Sequence, residues 1–291
     1  MTTISEVCGV WALDNPECIE VSGTNDNVKM AQLCFCMVCV CQILFMASQY
    51  PKVGWEAIYL PSCECFLYGL ASSGNGFIQL YDGRLIPWAR YAAWICTCPS
   101  ILLQINTIHK CKISHFNLNT FIVQADLIMN IMGVTGALTT NIAFKWIYFA
   151  IGCILFIFIV LVVYDIMTSA AKEWKAKGDS KGNLVSTRLI LLRWIFIVSW
   201  CVYPLLWILS PQATCAVSED VISVAHFICD AFAKNMFGFI MWRTLWRDLD
   251  GHWDISRHYP QSSYAKDGKE EEQMTAMSQT DDTEKPHSSQ G

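Results

Sequence analysis

Two charged residues lie in the middle of an apolar stretch that is long enough to cross a lipid bilayer. The stretch runs from Ser218 to Trp246, and it contains Asp230 and Lys234 near its centre. A membrane span needs about 20 predominantly apolar residues, and a charged lysine at mid-membrane costs roughly 2.5–3.5 kcal/mol on insertion scales. Because the two residues are four apart, they share one helix face. They form either a structural ion pair or a reactive amine beside an acid, most simply a Schiff base to a carbonyl cofactor.

The remainder of the chain is also apolar. Of its 291 residues, 54% are hydrophobic and 15% are charged, which is typical of a polytopic membrane protein. We predict an all-α membrane protein, a seven-transmembrane-helix bundle. Its spans are expected at 28–49, 55–81, 85–109, 116–140, 144–171, 184–209 and 218–246. No basic patch suggests a nucleic-acid partner, and the closely spaced cysteines lack further ligands, so we expect no metal site.

Loop charges predict the orientation of the chain. Lysines and arginines follow the third, fifth and seventh runs, whereas acidic residues precede the first and the seventh. The positive-inside rule therefore places the N-terminus outside and the C-terminus in the cytoplasm. We predict an extracellular segment at 1–27, a membrane domain at 28–248 and a polar cytoplasmic tail at 249–291 that favours disorder.

Three motifs combine aromatic and polar residues inside the apolar runs. They are RYAAWICTCP (90–99), WCVYPLLW (200–207) and DAFAK (230–234). Trp200, Tyr203 and Trp207 fall on one helix face, and Trp94 with Trp200 could enclose a long, flat, apolar ligand. These motifs resemble the third, sixth and seventh helices of microbial rhodopsins, and VQADLIMNIMGVTGALT (123–139) resembles their fourth helix.

The resemblance implies a retinal protein with a seven-helix fold. All-trans-retinal would be attached to Lys234 as a protonated Schiff base, with Asp230, Ala93 and Arg90 in the counterion region. The residues implied to surround the retinal are Trp94, Thr97, Cys98, Met129, Gly133, Trp200, Tyr203 and Trp207.

Further stretches narrow the resemblance within that family. PKVGWEAIYLPSCE (51–64), IPWARYAAWICTCP (86–99) and SGNGFIQL (73–80) are similar to the cryptophyte anion channelrhodopsins. Proton pumps of the family have an aspartate at the position of Ala93 and a titratable donor at that of Gln104, so this chain lacks both. With Asp230 as the only acid near Lys234 in these motifs, and with Arg90 close by, the central pathway favours anions.

A polar stripe on the second predicted helix suggests a pore wall. Glu64, Tyr68, Ser72 and Asn75 are spaced so that they share one helix face. The alternative is a polar face covered by neighbouring helices. By resemblance, Glu64 is the acid of the second helix that lies near the Schiff base and takes part in gating, and we expect it to be protonated while anions pass. Glu56 is either a pore residue or an interfacial charge.

Other cysteines and acids have roles only by resemblance. Cys98 and Asp126 match a pair that governs channel closing, but Asp126 could instead be a protonated residue of the retinal pocket, and both readings stay open. Cys18 and Cys215 match an extracellular disulfide of the family. Cys8 is then unpaired, so it either links two subunits of a homodimer or stays a free thiol.

We therefore expect a light-gated channel for chloride and other small anions, embedded in membrane lipid, and not an enzyme. A cation-conducting channelrhodopsin and a sensory rhodopsin that signals through a partner are the alternatives. A transporter or receptor without retinal is a more distant one.

Overall fold

The computed structural model describes residues 25–49, 56–80, 84–108 and 118–244. The first four helices are α1 (Asp26–Ser48), α2 (Glu56–Ser72), α3 (Trp88–Ile108) and α4 (Leu118–Leu138), and the next two are α5 (Ile142–Ala176) and α6 (Ser180–Leu209). The last spanning helix consists of α7 (Glu219–Asp230), a π-helical segment (Ala231–Met236) and α8 (Phe237–Trp242). Two short strands, β1 (Ile78–Gln79) and β2 (Leu85–Ile86), pair antiparallel, with Ile78 opposite Ile86.

The helices form a closed bundle in chain order. Each of the helices α1 to α7 packs against the next one, and α7 also packs against α1, which closes the ring. The segment α7, the π-helical segment and α8 form one continuous helix, so the described residues contain seven helices in the bundle. The predicted seven-helix fold is confirmed.

Five of the described helices are long and apolar enough to cross a membrane by length and composition alone. The two others, α2 and α3, contribute charged and amide side chains to the bundle interior, among them Glu64, Arg90 and Gln104. On the outer surface, α5 exposes large aliphatic residues such as Ile154 (67% exposed) and Leu161 (63%). This inverted distribution, apolar outside and polar inside, fits a bundle surrounded by lipid.

The hairpin between α2 and α3 is fixed to the end of α4. The Arg84 guanidinium donates hydrogen bonds to the carbonyl oxygens of Ala137 (3.0 Å), Leu138 (3.3 Å) and Thr139 (3.4 Å). The last carbonyls of a helix have no partner within the helix, and a cation there also complements the helix dipole. Arg84 therefore caps α4 and holds the β1–β2 hairpin against it.

Two of the predicted spans were too long. The second was predicted to reach Tyr81, but α2 ends at Ser72, and the chain turns at Gly74, whose φ of 81° is a left-handed conformation that glycine adopts without strain. The third was predicted from Leu85, which instead lies in β2, so α3 begins at Trp88. Apolar composition did not distinguish a short hairpin from the end of a helix.

The predicted N-terminal segment lies almost entirely outside the described residues, as do Cys8, Cys18 and the predicted tail. The side chain of Glu56 also lies outside them, although its backbone is the first residue of α2.

Candidate functional site

Lys234 lies in the interior of the bundle, where two carboxylates contact its amine. Its side chain is 1% exposed, and Nζ lies 2.7 Å from Oε1 of Glu64 and 2.9 Å from Oδ1 of Asp230. The sequence motifs placed Asp230 beside this amine, and the family resemblance placed Glu64 near it; in the structure both acids contact Nζ. Glu64 reaches it from α2, 170 residues away along the chain, and no spacing rule within one helix shows such a contact.

The backbone around Lys234 is π-helical. The segment Ala231–Met236 follows directly on Asp230, the last residue of α7. A π-helical turn is wider than an α-helical one and occurs frequently at functional sites. The motif DAFAK was read as ordinary α-helix, and the i, i+4 contact between Asp230 and Lys234 persists despite this local widening.

Asp230 is hydrogen-bonded through both of its oxygens. The hydroxyl of Tyr203 donates to Oδ1 at 2.6 Å, and the hydroxyl of Tyr68 donates to Oδ2. A buried carboxylate without donors would be costly, and these two tyrosines from α6 and α2 supply them. They also fix the position of Asp230 relative to Lys234.

Glu64 has a less complete set of partners. Its side chain is fully buried, and Oε2 has no hydrogen-bond partner among the described residues, whereas Oε1 contacts Lys234. A buried carboxylate oxygen without a donor is better accommodated when the group carries a proton. The site therefore combines Asp230, whose two oxygens both accept hydrogen bonds, with Glu64, whose Oε2 has no donor among the described residues.

An apolar cavity lies between α3, α4, α5 and α6. Seven of the residues predicted to surround a flat ligand line it: Trp94, Cys98, Met129, Gly133, Trp200, Tyr203 and Trp207. Thr97 is not among the lining residues of this cavity, and its hydroxyl donates to the Ala93 carbonyl at 2.7 Å, so its contact with retinal stays a prediction. The cavity ends at Tyr203, whose hydroxyl contacts Asp230, so the cavity and the Lys234 site are adjacent.

Sequence reasoning missed a group of lining residues. They are Tyr91, Asn130, Phe149, Gly152, Cys153, Phe156 and Pro204. Among them, Phe149, Cys153 and Phe156 recur at helical spacing on α5, which is a signal for one shared face. Phe149 stacks on Trp207 with ring centroids 4.8 Å apart, so α5 and α6 together close one side of the cavity.

A second cavity, which we call the polar cavity because several polar side chains reach its otherwise apolar lining, lies between α1, α2, α3 and α7. Its polar lining residues are Gln32, Tyr68, Arg90, Ser223, His226 and Asp230, and it extends to Gly76, Phe77 and Pro87 beside the hairpin. Oε1 of Gln32 and Nδ1 of His226 are buried there without a hydrogen-bond partner among the described residues. Neither residue was predicted, although each is a polar side chain inside an apolar run.

Arg90 lines this polar cavity, but its charge is paired. A terminal nitrogen of its guanidinium lies 2.6 Å from Oε1 of Glu219 and 3.0 Å from the hydroxyl of Ser223. Arg90 was expected to act as a positive charge beside Lys234. The structure instead gives an ion pair between α3 and α7, so the local potential is less positive than predicted.

The predicted stripe on α2 is only partly correct. Tyr68 lines the polar cavity together with Leu67 and Ala71, and Glu64 contacts Lys234. The hydroxyl of Ser72, however, donates to the Gly69 carbonyl at 2.8 Å, so it is turned back onto its own helix. Asn75 lies beyond the end of α2, is exposed, and donates to Ser73. Ser72 and Asn75 are therefore not part of this polar wall.

Three further predicted residues lie near the cavities. Ala93 is buried and lines the polar cavity. Cys98 lines the apolar cavity, and the fully buried Asp126 accepts a hydrogen bond from Asn130 at 3.3 Å. The other Asp126 oxygen has no hydrogen-bond partner within the described ranges, so the coupling of Asp126 to Cys98 stays a prediction.

Cys215 lies outside the bundle core and forms a disulfide bond, and its partner is not among the described residues. The expected pairing with Cys18 therefore stays a prediction.

Comparison with known proteins identifies the family. The family model described as "Bacteriorhodopsin-like protein" matches residues 27–247. Cruxhalorhodopsin-3 of Haloarcula vallismortis is 31% identical over 209 residues, which cover 68% of this chain and 71% of that protein. The chain belongs to the microbial rhodopsin family, whose members resemble bacteriorhodopsin.

Solved structures show the same fold. The red light-activated channelrhodopsin Chrimson matches with a TM-score of 0.66 at 19% identity, covering 78% of this chain and 81% of that one. Halorhodopsin, a light-driven chloride pump, matches with a TM-score of 0.61 at 23% identity, covering 78% and 96%. At these identities the likeness concerns the fold alone.

Membership in this family implies retinal as the chromophore, and the residues present fit it. Lys234 would supply the amine for a covalent link, with Asp230 and Glu64 as the acids that contact its nitrogen. The aromatic cavity beside them is bounded by Trp94 and Trp200, which suits a long, flat, apolar polyene.

Proposed function

We propose that this protein is a light-gated anion channel that conducts chloride passively, with all-trans-retinal attached to Lys234. The observation that favours conduction is the polar cavity between α1, α2, α3 and α7, which extends from the hairpin end of the bundle to Asp230. Polar side chains along such a cavity can accommodate an ion that lipid would exclude. Ala93 in its wall has no carboxylate to repel an anion.

The proposed pathway is closed in two places. Near its outer end, the Arg90–Glu219 ion pair joins α3 to α7. At the centre, Lys234 joins Glu64 of α2 to Asp230, and one residue farther along, the Asn235 amide contacts Cys39 Sγ of α1 at 3.4 Å. For anions to pass, the contacts at the outer end and those at the centre must both separate.

The two carboxylates at Lys234 have different proposed roles. Tyr68 and Tyr203 hold Asp230 as the ionised partner of the Lys234 nitrogen. Glu64 has an oxygen without a donor, which supports a proton on this group while anions pass. With Glu64 neutral, Lys234 and Asp230 cancel each other, and the centre of the pathway is no longer negative.

Bound retinal supplies the light absorption and a change of shape at the Lys234 nitrogen. The chain then converts that change into opening, because Lys234 contacts α2 and the last spanning helix at the same time. When the nitrogen moves, its contacts with Glu64 and Asp230 cannot both be kept. Tyr68 and Tyr203 anchor Asp230, so the contact with Glu64 is the one that we expect to break first.

A light-driven chloride pump is a second candidate. The halorhodopsin relatives favour it, since a solved halorhodopsin is described as a light-driven chloride pump. A pump needs a barrier that is always closed on one side, whereas a channel opens along its whole length. Cation conduction and sensory signalling through a partner are the other functions that the experiment must separate.

Whole-cell voltage clamp under flashes of light, with retinal present, tests this proposal while external chloride is changed. For an anion channel, the current reverses at a potential that follows the chloride gradient. A chloride pump gives a current of one direction that does not reverse with the gradient. A reversal potential that follows sodium, potassium or protons would show cation conduction, and absorption without current would favour a sensory function. Cells that produce Lys234→Ala provide the control without light response.

The orientation and assembly are part of the same proposal. We place the N-terminus and the β1–β2 hairpin outside the cell and the C-terminus in the cytoplasm, as loop charges suggest. Cys18 is the proposed disulfide partner of Cys215, and Cys8 is proposed to link two subunits of a homodimer.

A further inference from the structure

Two thiols from different helices contact each other beside the Lys234 site. Sγ of Cys36 on α1 lies 2.9 Å from Sγ of Cys65 on α2, and the Cys36 thiol also lies 3.2 Å from the Cys65 carbonyl oxygen. A Cβ added at Gly69 would lie 3.9 Å from the same Cys36 sulfur, so Cys36 packs against the turn of α2 between Cys65 and Gly69. Both cysteines are free thiols.

The thiols of Cys36 and Cys65 are close enough to form a disulfide bond when they are oxidised. Disulfide sulfurs lie about 2.05 Å apart, so the two sulfurs, 2.9 Å apart, must approach each other by less than about 1 Å to form a bond. Both residues are half-buried, not sealed in the core, so a small uncharged oxidant can reach them. Other cysteines on α1 differ: Cys34 and Cys41 are exposed at the bundle surface, and Cys39 is fully buried against Asn235.

We propose that Cys36 and Cys65 form an oxidation-sensitive cross-link that fixes α1 to α2 and slows the photocycle. A peroxide is the chemical class of oxidant. One thiol, having lost its proton, attacks a peroxide oxygen and becomes a sulfenic acid as water leaves. The second thiol then attacks that sulfur and expels a second water, so two thiols and one hydrogen peroxide give one disulfide and two waters.

The position of the cross-link explains its expected effect. Cys65 follows Glu64 directly, and Tyr68, three residues later, donates to Asp230. Cys36 lies on α1 between Phe35, which packs on Tyr68, and Cys39, which contacts Asn235. A covalent bond at this point restricts any displacement of α2 relative to α1, and both Lys234 carboxylates depend on α2 for a contact.

The test uses the full-length protein with retinal bound, treated with hydrogen peroxide and then, in a second sample, with dithiothreitol. Peptide mass spectrometry without reduction should identify a Cys36–Cys65 linked peptide. After oxidation, the visible band should return at least about three-fold more slowly following a flash. Reduction with dithiothreitol should restore the original rate. This optical readout does not depend on ion conduction, so it fails or succeeds separately from the proposed channel function.

Cys36→Ser and Cys65→Ser should each lose the response to peroxide, whereas Cys34→Ser on the exposed side of α1 should keep it. A normal visible band in each variant establishes that it is folded, and Cys36→Ala replaces Cys36→Ser if the serine variant has none. Absence of the linked peptide, an unchanged recovery in the cross-linked protein, or a response that persists in Cys36→Ser would each overturn the proposal.

Discussion

Nζ of Lys234 lies 2.7 Å from Oε1 of Glu64, so the amine that can bind retinal contacts two helices through two different acids. Asp230 holds it from the same helix, and Glu64 holds it from α2. Because α2 also lines the polar cavity through Tyr68, a movement at Lys234 is transmitted directly to the wall of the proposed pathway. The predictions below follow from this central arrangement and from the contacts around it.

Replacing Lys234 by alanine should abolish the visible absorption band, because Lys234 is buried next to Asp230, which contacts the cavity residue Tyr203. The measurement is an absorption spectrum of the purified protein after incubation with retinal. Lys175→Ala, at the exposed end of α5, is the matched control and should keep the band. A coloured Lys234→Ala protein would contradict the assignment of the retinal site.

Tyr203→Phe should destabilise the protein by removing a donor from the buried Asp230 carboxylate. Hydrogen bonds to charged groups contribute about 1.5–3 kcal/mol, and the loss should lower the temperature at which the visible band disappears. Tyr164→Phe is the control, because its ring is exposed on α5 and its stacking under the Arg193 guanidinium is kept. Equal thermal stability of the two variants would show that Tyr203 contributes only packing.

The Arg90–Glu219 pair should control the size of the chloride current. Arg90→Gln leaves Glu219 without its cation and should reduce the current by at least about three-fold, since an unpaired acid in the pathway repels anions. Glu219→Gln should increase the current, and the double variant should fall between the two. Voltage clamp with matched protein levels measures all three. Similar losses in both single variants would indicate that the pair only maintains structure.

Cys98→Ala should prolong the photocurrent after the light is switched off if Cys98 and Asp126 together govern closing. Cys98 lines the apolar cavity from α3, and Cys153 lines it from α5, so Cys153→Ala is the control for a lost thiol in the same cavity. The decay time after a flash is the measured quantity. If both variants decay like the unmodified protein, Cys98 is a packing residue.

Dimers on a non-reducing gel should disappear in Cys8→Ser, because Cys8 is the predicted cysteine between two subunits. A Cys34→Ser variant controls for an exposed thiol within the membrane domain. Dimers that persist without Cys8 would place the link elsewhere.

The seven-helix fold and half of the residues that line the apolar cavity could be predicted from the sequence, because local patterns carry both. Apolar runs define the helices, and the aromatic residues Trp94, Trp200 and Trp207 lie in short motifs with helical spacing. Such motifs also located Lys234 and Asp230, whose contact is between residues four apart.

The errors are of two kinds, contacts between distant segments and polar side chains that bond to their own helix. Nothing in the spacing of α2 shows that Glu64 reaches Lys234, or that Glu219 pairs with Arg90 across the bundle. The stripe on α2 failed at Ser72 and Asn75 because a hydroxyl can bond to its own helix and because Gly74 ends the helical path.

The π-helical turn at Ala231–Met236 has a consequence for anyone who exchanges segments between this protein and a relative. A π-turn is equivalent to one residue inserted into an α-helix, so every side chain beyond it is rotated by about 100° relative to a regular helix. Phe237 and Met241 are buried in this rotated register. A chimera joined within the last helix keeps them buried only if the donor sequence has the same extra residue, and otherwise one residue must be added or removed at the junction.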